Sequence, residues 1–353
     1  MAAYPLTVRG FTLVEVLVAF AVLMILMVIL ANMVNLTSST WSRTKGSVEQ
    51  FQQARAAFEV VTRRLSEAVL NTYLDYVDGS GNPRTVANSR TFLPARYVRR
   101  SELRFLSGPG ITGNSDHTTH AIFFQAPQGV ADANDAQGLG QLLNSCGFFI
   151  ELDSDEELIP SILPRSFAKE RFRLKQLIEP SEKMGTYKLG AANPDFESEE
   201  WFTKALEDPD SLSIVGENII ALILLPKLSA ADQAAGGYQD NALAPNYTYD
   251  STEKNNTPAL NPSHQLPPVV QVTMVAIDEA SAMRLESDGQ AALKTLLDGL
   301  FKQVGSTTDA SQTGFARDLE TLESFLNERR LNYRIFTSNV SLKAAKWSRD
   351  QKN

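Results

Sequence analysis

Gly10, Phe11 and Glu15 are the residues whose types and spacing best suit chemistry, and that chemistry is processing and pairing rather than turnover. A cut between Gly10 and Phe11 would fall ahead of a long apolar stretch, so the stretch would stay in the product. An ordinary secretory signal is cut after its apolar region at a small-x-small site, and no Ala-x-Ala triplet directly follows the stretch here. From Val16 to Ser42 run 27 residues without a charge, ~40 Å of helix at about 1.5 Å per residue. The hydrocarbon core of a bilayer needs about 20 apolar residues, so this segment can span it. A carboxylate at the edge of such a helix is costly, by about 2.5–3.5 kcal/mol at the helix centre on insertion scales, and it usually has a partner. Removing residues 1–10 exposes a cationic amine on Phe11. The amine of one chain and the Glu15 carboxylate of the next can then neutralise each other as helices stack. On a plain signal anchor, Glu15 would instead sit near a headgroup.

Other reactive residue types are sparse. The three histidines are His117, His120 and His264. His117-x-x-His120 has the spacing of two metal ligands on one helical turn, but it sits in the loop-like run NSDHTTHAIFF without a flanking Glu or Cys set. Gly-x-Ser-x-Gly and Walker A motifs do not occur, and the one GxGxxG string, Gly108–Gly113, lies in a polar insert. Acidic clusters stand at Asp153, Asp155, Glu156 and Glu157, and at Asp195, Glu197, Glu199 and Glu200. Calcium prefers oxygen-rich loops, yet neither cluster has EF-hand spacing, and both read as solvated surface. Asp75–Asn82 is a third acidic loop and reads as a helix-ending turn. The expected catalytic, metal and cofactor sets are therefore empty. Cys146 is the only cysteine, so no internal disulfide can form. A covalent dimer through it is conceivable, but its place in CGFFI suggests a small buried hydrophobe.

The motif as a whole resembles the class III signal of type IV pilins and type II secretion pseudopilins: a Gly, a Phe, and a Glu five residues into the mature chain. Gly10, Phe11 and Glu15 fall on those positions without a gap. The resemblance implies cleavage between Gly10 and Phe11 by a prepilin peptidase, N-methylation of Phe11, and a role for Glu15 in assembly with other pilin or pseudopilin subunits. Further along, NIIALILLPKL, a long insert, LPPVVQVTMVAID and a final strand look like the carboxyl half of J-type pseudopilins, the bulky minor subunits of type II secretion. VVQVTMVAIDEASAMRL and YRIFTSNVSLKAAKWS resemble Verru-Chthon cassette protein C, a prepilin-like family, more closely still.

The elements that must carry these residues follow from periodicity. Val48, Phe51, Phe58, Val61, Leu65 and Val69 recur at helical steps, with Arg55, Glu59, Arg63, Arg64 and Glu67 on the other face. This predicts a rod from about Phe11 to Leu74: a membrane half over 11–42 and an amphipathic half over 43–78, ended by the turn residues of Asp75–Pro83. Beyond it, an α+β head over 79–353 is expected, mainly antiparallel. Strands are predicted at Glu102–Leu106, Ala121–Gln125, Gly147–Leu152, Phe172–Ile178, Asn218–Leu225, Val269–Ile277 and Tyr333–Leu342. Two late helices are predicted at Gly289–Gln303 and Phe315–Arg330. Polar inserts separate them at Gly108–Thr118, Gly129–Leu139 and Ser229–Pro268. The last is far longer than ordinary loops, which implies a functional or poorly ordered segment.

Composition fits an exported, anchored protein. Outside the first 42 residues no apolar run approaches spanning length, and about 310 residues remain, enough for one large domain or two small ones. The net charge of −8 argues against nucleic acid or an anionic membrane surface as partner. Arg43, Lys45 and Arg55 beyond the segment outnumber Arg9 before it, a bias that alone would put the amino terminus outside. Large following domains translocate largely regardless of charge, so an inner-membrane anchor with a periplasmic or surface head is the expectation. The function expected is a minor pseudopilin or pilin-like subunit, whose partners are the prepilin peptidase, sister subunits, the inner membrane and a secreted cargo. A surface adhesin or pilus-tip module, with 229–268 as contact surface, is the alternative. A signal-anchored periplasmic enzyme is the second.

Overall fold

The computed structural model describes residues 12–132, 138–156, 159–160, 162, 164, 168–184, 200–304 and 314–348. The chain divides into two compact units, Met1–Glu49 and Gln50–Asn353, and the helix α1 (Leu13–Ser66) runs across the division. Packing thus divides the chain at 49/50, inside a helix, whereas composition changes at 42/43. Burial explains the difference: the first α1 side chains to be buried in the second unit are Phe51, Ala54, Ala57 and Phe58.

The helix ends at Ser66, short of the predicted Leu74. Its apolar spacing continues through Val69, but the chain there is already extended, with the Val69 N–H on the Gln125 carbonyl at 2.9 Å. Asn71 then takes a left-handed φ of 47°, which turns the backbone away from any helix. The expected turn residues 75–77 instead belong to β1 (Tyr73–Val77), paired antiparallel with β2 (Arg96–Arg100). Tyr, Leu and Val in alternation favour a strand over a turn here. The turn itself follows at Asp78, whose carboxylate accepts the Ser80 and Asn82 N–H groups at 2.8 and 2.9 Å.

The second unit holds two larger antiparallel sheets. In the first lie β3 (Leu106–Pro109), β4 (His117–Pro127), β5 (Leu143–Ser154), β6 (Glu170–Glu179), β7 (Leu212–Glu217) and β9 (Tyr249–Asp250), in the order β7-β6-β5-β4-β3-β9. In the second, β8 (Ile219–Lys227), β10 (Val269–Ile277) and β11 (Tyr333–Ser341) are ordered β11-β10-β8. The chain crosses between sheets in a single residue, Asn218, held at a φ of 59°. Of the predicted strands only Glu102–Leu106 is displaced. Leu103 and Phe105 are buried there, but side chains take their neighbours' N–H groups: Gln125 Oε1 accepts from Arg104 and Ser251 Oγ from Phe105. No ladder forms where side chains replace strand partners.

Strand alternation sorts the core into two layers. Ile122, Phe124, Cys146, Phe148 and Ile150 face the main core, with Ala57, Phe58, Val61 and Leu65 of α1 and the strands β8 and β10. Phe123, Phe149 and Leu177 point the other way, under Trp201 and Phe202 of the short helix α2 (Glu200–Leu206). Phe123 stacks on Phe202 at 4.0 Å between centroids. Its ring occupies the space a Cβ of Gly147 would need, 2.4 Å from Phe123 Cδ1, so a glycine faces Phe123 on β5. Among the described residues the late helices are three: α4 (Glu279–Asp288), α5 (Gln290–Gly299) and α6 (Gly314–Glu328), after the small α3 (Ala230–Gly236). The α6 face contains the expected Phe315, Leu319, Leu322 and Leu326, the last two fully buried.

Of the two expectations for Ser229–Pro268, functional or poorly ordered, the structure goes against the second: the segment is built into the head. Tyr247, Tyr249, Ala244 and Leu266 within it are buried. Asp250 on β9 takes a forked contact from the buried Arg104, with Arg104 Nε on Oδ1 at 3.0 Å. Polar side chains such as Asn261 and Gln265 are also buried, each hydrogen-bonded locally. A polar composition therefore hides a hydrogen-bonded inner layer.

Candidate functional site

The first turn of α1 holds Glu15, the candidate residue of the motif that the structure describes. Gly10 and Phe11 lie outside the described residues. Thr12 stands ahead of the helix and Glu15 in its first turn, and the two close on each other. The Thr12 hydroxyl accepts the Glu15 N–H at 3.3 Å, while Glu15 Oε2 accepts the Thr12 N–H at 2.9 Å and its hydroxyl at 3.0 Å. This is a capping box, in which two otherwise orphaned donors satisfy each other's side chains. Sequence reading gave Glu15 an intermolecular partner only. The Thr-x-x-Glu spacing is the signal that also assigns it an intramolecular one.

From this cap the helix runs on as an apolar surface. Leu13–Ser38 is long and apolar enough to cross a membrane, and its most apolar stretch has no residue buried in the isolated chain. Among the described residues it is the one helix of that kind. Where polarity enters, it turns inward: Thr37 Oγ1 donates to the Met33 carbonyl at 2.8 Å, which satisfies the hydroxyl without water. Charges return only past the apolar part, as the i,i+4 pairs Lys45–Glu49 at 3.8 Å and Arg55–Glu59 at 3.1 Å.

The family model for the prokaryotic N-terminal methylation motif matches residues 7–31. The chain carries that motif. It marks a type IV pilin-like precursor of the kind a prepilin peptidase processes, and with the exposed apolar helix it fits a single-pass membrane anchor in a pilin-type assembly. No curated protein and no solved structure matches the chain. The match covers the anchor; the head of this pilin-like chain has to be read from its own residues.

The other candidates do not converge. Among the described residues no three His, Cys, Asp or Glu side chains gather as metal ligands would. His117 and His120 lie on β4 rather than in a loop. His120 is fully buried, and both ring nitrogens serve the fold: Nδ1 takes the Leu224 N–H at 2.9 Å and Nε2 meets the Phe301 carbonyl at 2.8 Å. Burial pushes its pKa down to about 4, against the two backbone hydrogen bonds that raise it. The His117 ring packs tilted on Phe149, 4.4 Å between centroids, and lies 3.5 Å from Glu151. Burial would raise the Glu151 pKa, but hydrogen bonds from His117 and Lys175 hold it down to about 2.

The cluster at 153–157 is largely matched by cations. Lys175 meets Asp153 at 2.7 Å, and Arg173, 1% exposed along its side chain, lies between Asp153, Asp155 and Glu217. Asp155 also takes the Lys169 N–H at 2.6 Å. Such pairing leaves little oxygen capacity for calcium. Glu157, Asp195, Glu197 and Glu199 lie outside the described residues, and Glu200 opens α2. Cys146 is buried, and desolvation pushes its thiol up to about 12, so it behaves as a core side chain and not as a bridge to another chain.

Proposed function

We propose that this chain is a minor pseudopilin or pilin-like structural subunit of a type II secretion or type IV pilus-like envelope assembly. Its head would lie on the periplasmic side of the inner membrane, and its work is assembly rather than catalysis. One observation carries the reading: the methylation motif at residues 7–31 leads, through the Thr12–Glu15 cap, into a helix whose most apolar stretch has no residue buried among the described residues. Such a surface needs lipid or sister helices around it. The likeness of the carboxyl half to J-type pseudopilins and to Verru-Chthon cassette protein C supports a bulky minor subunit. The engagement of His117, His120 and the 153–155 carboxylates in structural contacts supports a non-catalytic head. The order within 229–268 weighs against the tip-module alternative, which needs that segment as a free contact surface.

Mass spectrometry of the membrane-extracted protein tests the reading. The first residue should be N-methylated Phe11, and Gly10→Val, which crowds the scissile bond, should leave the leader attached. A mature chain beginning after residue 30 would overturn the pilin reading.

A further inference from the structure

The β1–β2 hairpin forms a sheet of its own, joined to neither of the larger two. A two-stranded sheet needs packing to persist, and strand alternation shows which face supplies it. Val77 and Val98 share the inner face and are buried. Tyr76 and Tyr97 stand opposite each other on the outer face, next to the loop end, and both are exposed. Their rings lie 4.6 Å apart at 44°, and the Tyr97 hydroxyl donates to that of Tyr76 at 3.1 Å.

The loop that closes the hairpin carries its free charge. From Tyr73 to Arg100 arginine occurs five times and tyrosine three, with no lysine and no glutamate. Interfaces are enriched in the first two types and depleted in the others. Arg84, Arg90 and Arg96 are exposed, and among the described residues no hydrogen bond or ion pair holds their side chains. The nearby acids are engaged by backbone: Asp75 Oδ1 accepts the Tyr76 N–H at 2.8 Å, and Asp78 holds the turn at Ser80 and Asn82. The loop is shaped before any partner arrives. Asn88 Oδ1 accepts the Thr85 N–H at 2.6 Å, its Nδ2 donates to the Pro83 carbonyl at 3.0 Å, and the Ala95 N–H meets the Val77 carbonyl at 2.8 Å. Little backbone ordering therefore remains as a cost of binding.

We propose that this hairpin docks an acidic segment of another protein, whose carboxylates meet Arg84, Arg90 and Arg96 and whose apolar side chains cover the tyrosine pair. Exposed guanidinium groups without a partner, on a chain of net charge −8, are locally complementary to carboxylates. The same net charge repels an extended polyanion such as nucleic acid. The match is therefore to a few carboxylates set beside apolar side chains, and not to charge alone. Tyrosine and arginine are also the types that dominate binding energy at protein interfaces. The proposal stands apart from the filament reading, since it rests on the head alone.

Fluorescence anisotropy on the full chain in mild non-ionic detergent tests it, with labelled acetyl-Glu-Phe-Glu-Leu-Glu-amide as probe beside its glutamine counterpart. The acid should bind about tenfold more tightly, the gain expected from a hydrogen bond to a charged group. That margin should shrink as salt rises. Arg84→Gln, Arg90→Gln and Arg96→Gln combined should bring the two probes level and leave the melting temperature unchanged, because these side chains are exposed and hold nothing in the fold. Tyr97→Ser should weaken both probes alike. Equal affinity for the two probes in wild type, or binding of neither, overturns the site. An acid preference that survives the triple change overturns its assignment to these arginines. Heparin binding tighter than the acid probe, and lost with the arginines, overturns the choice of a protein partner. A dimer in sedimentation that the triple change abolishes makes the occupant a second copy and overturns it as well. Loss of methylation at Phe11 would bear on the pilin reading and leave this result untouched.

Discussion

The imidazole of His120 accepts the backbone N–H of Leu224 at 2.9 Å, a bond from the six-stranded sheet to the edge of the three-stranded one. β8 is the outer strand of its sheet, and an outer strand presents unpaired N–H groups. β4 answers them with side chains. A register shift between Thr118 and Ile122 and a φ of 60° at Thr119 form a bulge that turns both side chains toward β8. Thr119 Oγ1 takes the Leu222 N–H at 3.1 Å, and His120 takes the next outward one. Since Nδ1 accepts, the ring is neutral with its proton on Nε2, facing the Phe301 carbonyl.

A pH dependence follows. His120 has a folded pKa of about 4 against 6.5 for the free side chain. Between those values the unfolded chain binds the extra proton, so this group's contribution is complete above pH 6.5 and is lost as pH falls toward 4. The size is about 3 kcal/mol at about 1.4 kcal/mol per pH unit. Denaturant unfolding of wild type and His120→Gln, measured at several pH values, should show the gap between them narrowing as acid is added. A gap constant across the window would sink the assignment.

Phe58 joins α1 to the three-stranded sheet. Its ring lies 5.8 Å from that of Phe336 on β11, while Arg334 on the same strand covers Phe51 at 5.1 Å. Truncating a core Phe costs about 3–5 kcal/mol. Phe58→Ala should lower the melting temperature of the head by several degrees or more, read by circular dichroism. An unchanged transition would mean that the carboxyl-terminal part of α1 does not help hold the head.

Gly147 faces Phe123 where a larger residue has no room. Gly147→Val should force Phe123 off Phe202 and open the α2 layer, seen as faster proteolysis near Trp201 and a cost of about 1–3 kcal/mol. Proteolysis at the wild-type rate would show that the ring can move aside freely.

Much of this architecture is legible in the sequence, and the illegible parts share a cause. Val269–Ile277 is predicted to the residue because six of its nine side chains are β-branched, which leaves no rival assignment. The methylation motif matched at residues 7–31 is legible because it is defined by local order along the chain. The end of α1 is not, since Val69 and Leu70 keep helical spacing while serving an extended chain. Nor is the layer inside 229–268. There, burial depends on partners distant in sequence, such as Arg104 for Asp250 and Ser348 for Gln265. A cavity behind the β1–β2 hairpin is hidden for the same reason: its lining comes from positions 69–74, 99, 264–266, 344, 346 and 348.

The segment 229–268 yields a test of that correction. A free insert could be deleted over 232–262 with little loss, because shortening a loop reduces closure entropy. The structure reverses the expectation: that deletion removes Tyr247, Tyr249 and β9, and it leaves Arg104 buried without Asp250. Breaking one partner of a buried pair alone costs about 3–5 kcal/mol. The deletion should leave the head unfolded, and Asp250→Ala alone should be markedly destabilised. A deletion mutant that melts like wild type would return the segment to the status of a loose insert.

Glu15 has two roles that variants can separate. As the far member of the capping box it accepts the Thr12 N–H and so helps to hold the helix start. As a charge at the edge of an apolar helix it can meet the amine of a neighbouring subunit, the role we propose in assembly. Glu15→Gln keeps an acceptor at the cap and removes the charge, whereas Glu15→Val removes both. Each should be cleaved and retained in the membrane, Glu15→Val somewhat better because its helix is more apolar. Crosslinking to partner subunits should fail for both if the charge directs assembly. Crosslinking that survives in Glu15→Gln but not in Glu15→Val would assign the residue to the cap alone, and the intermolecular pair would have to be abandoned.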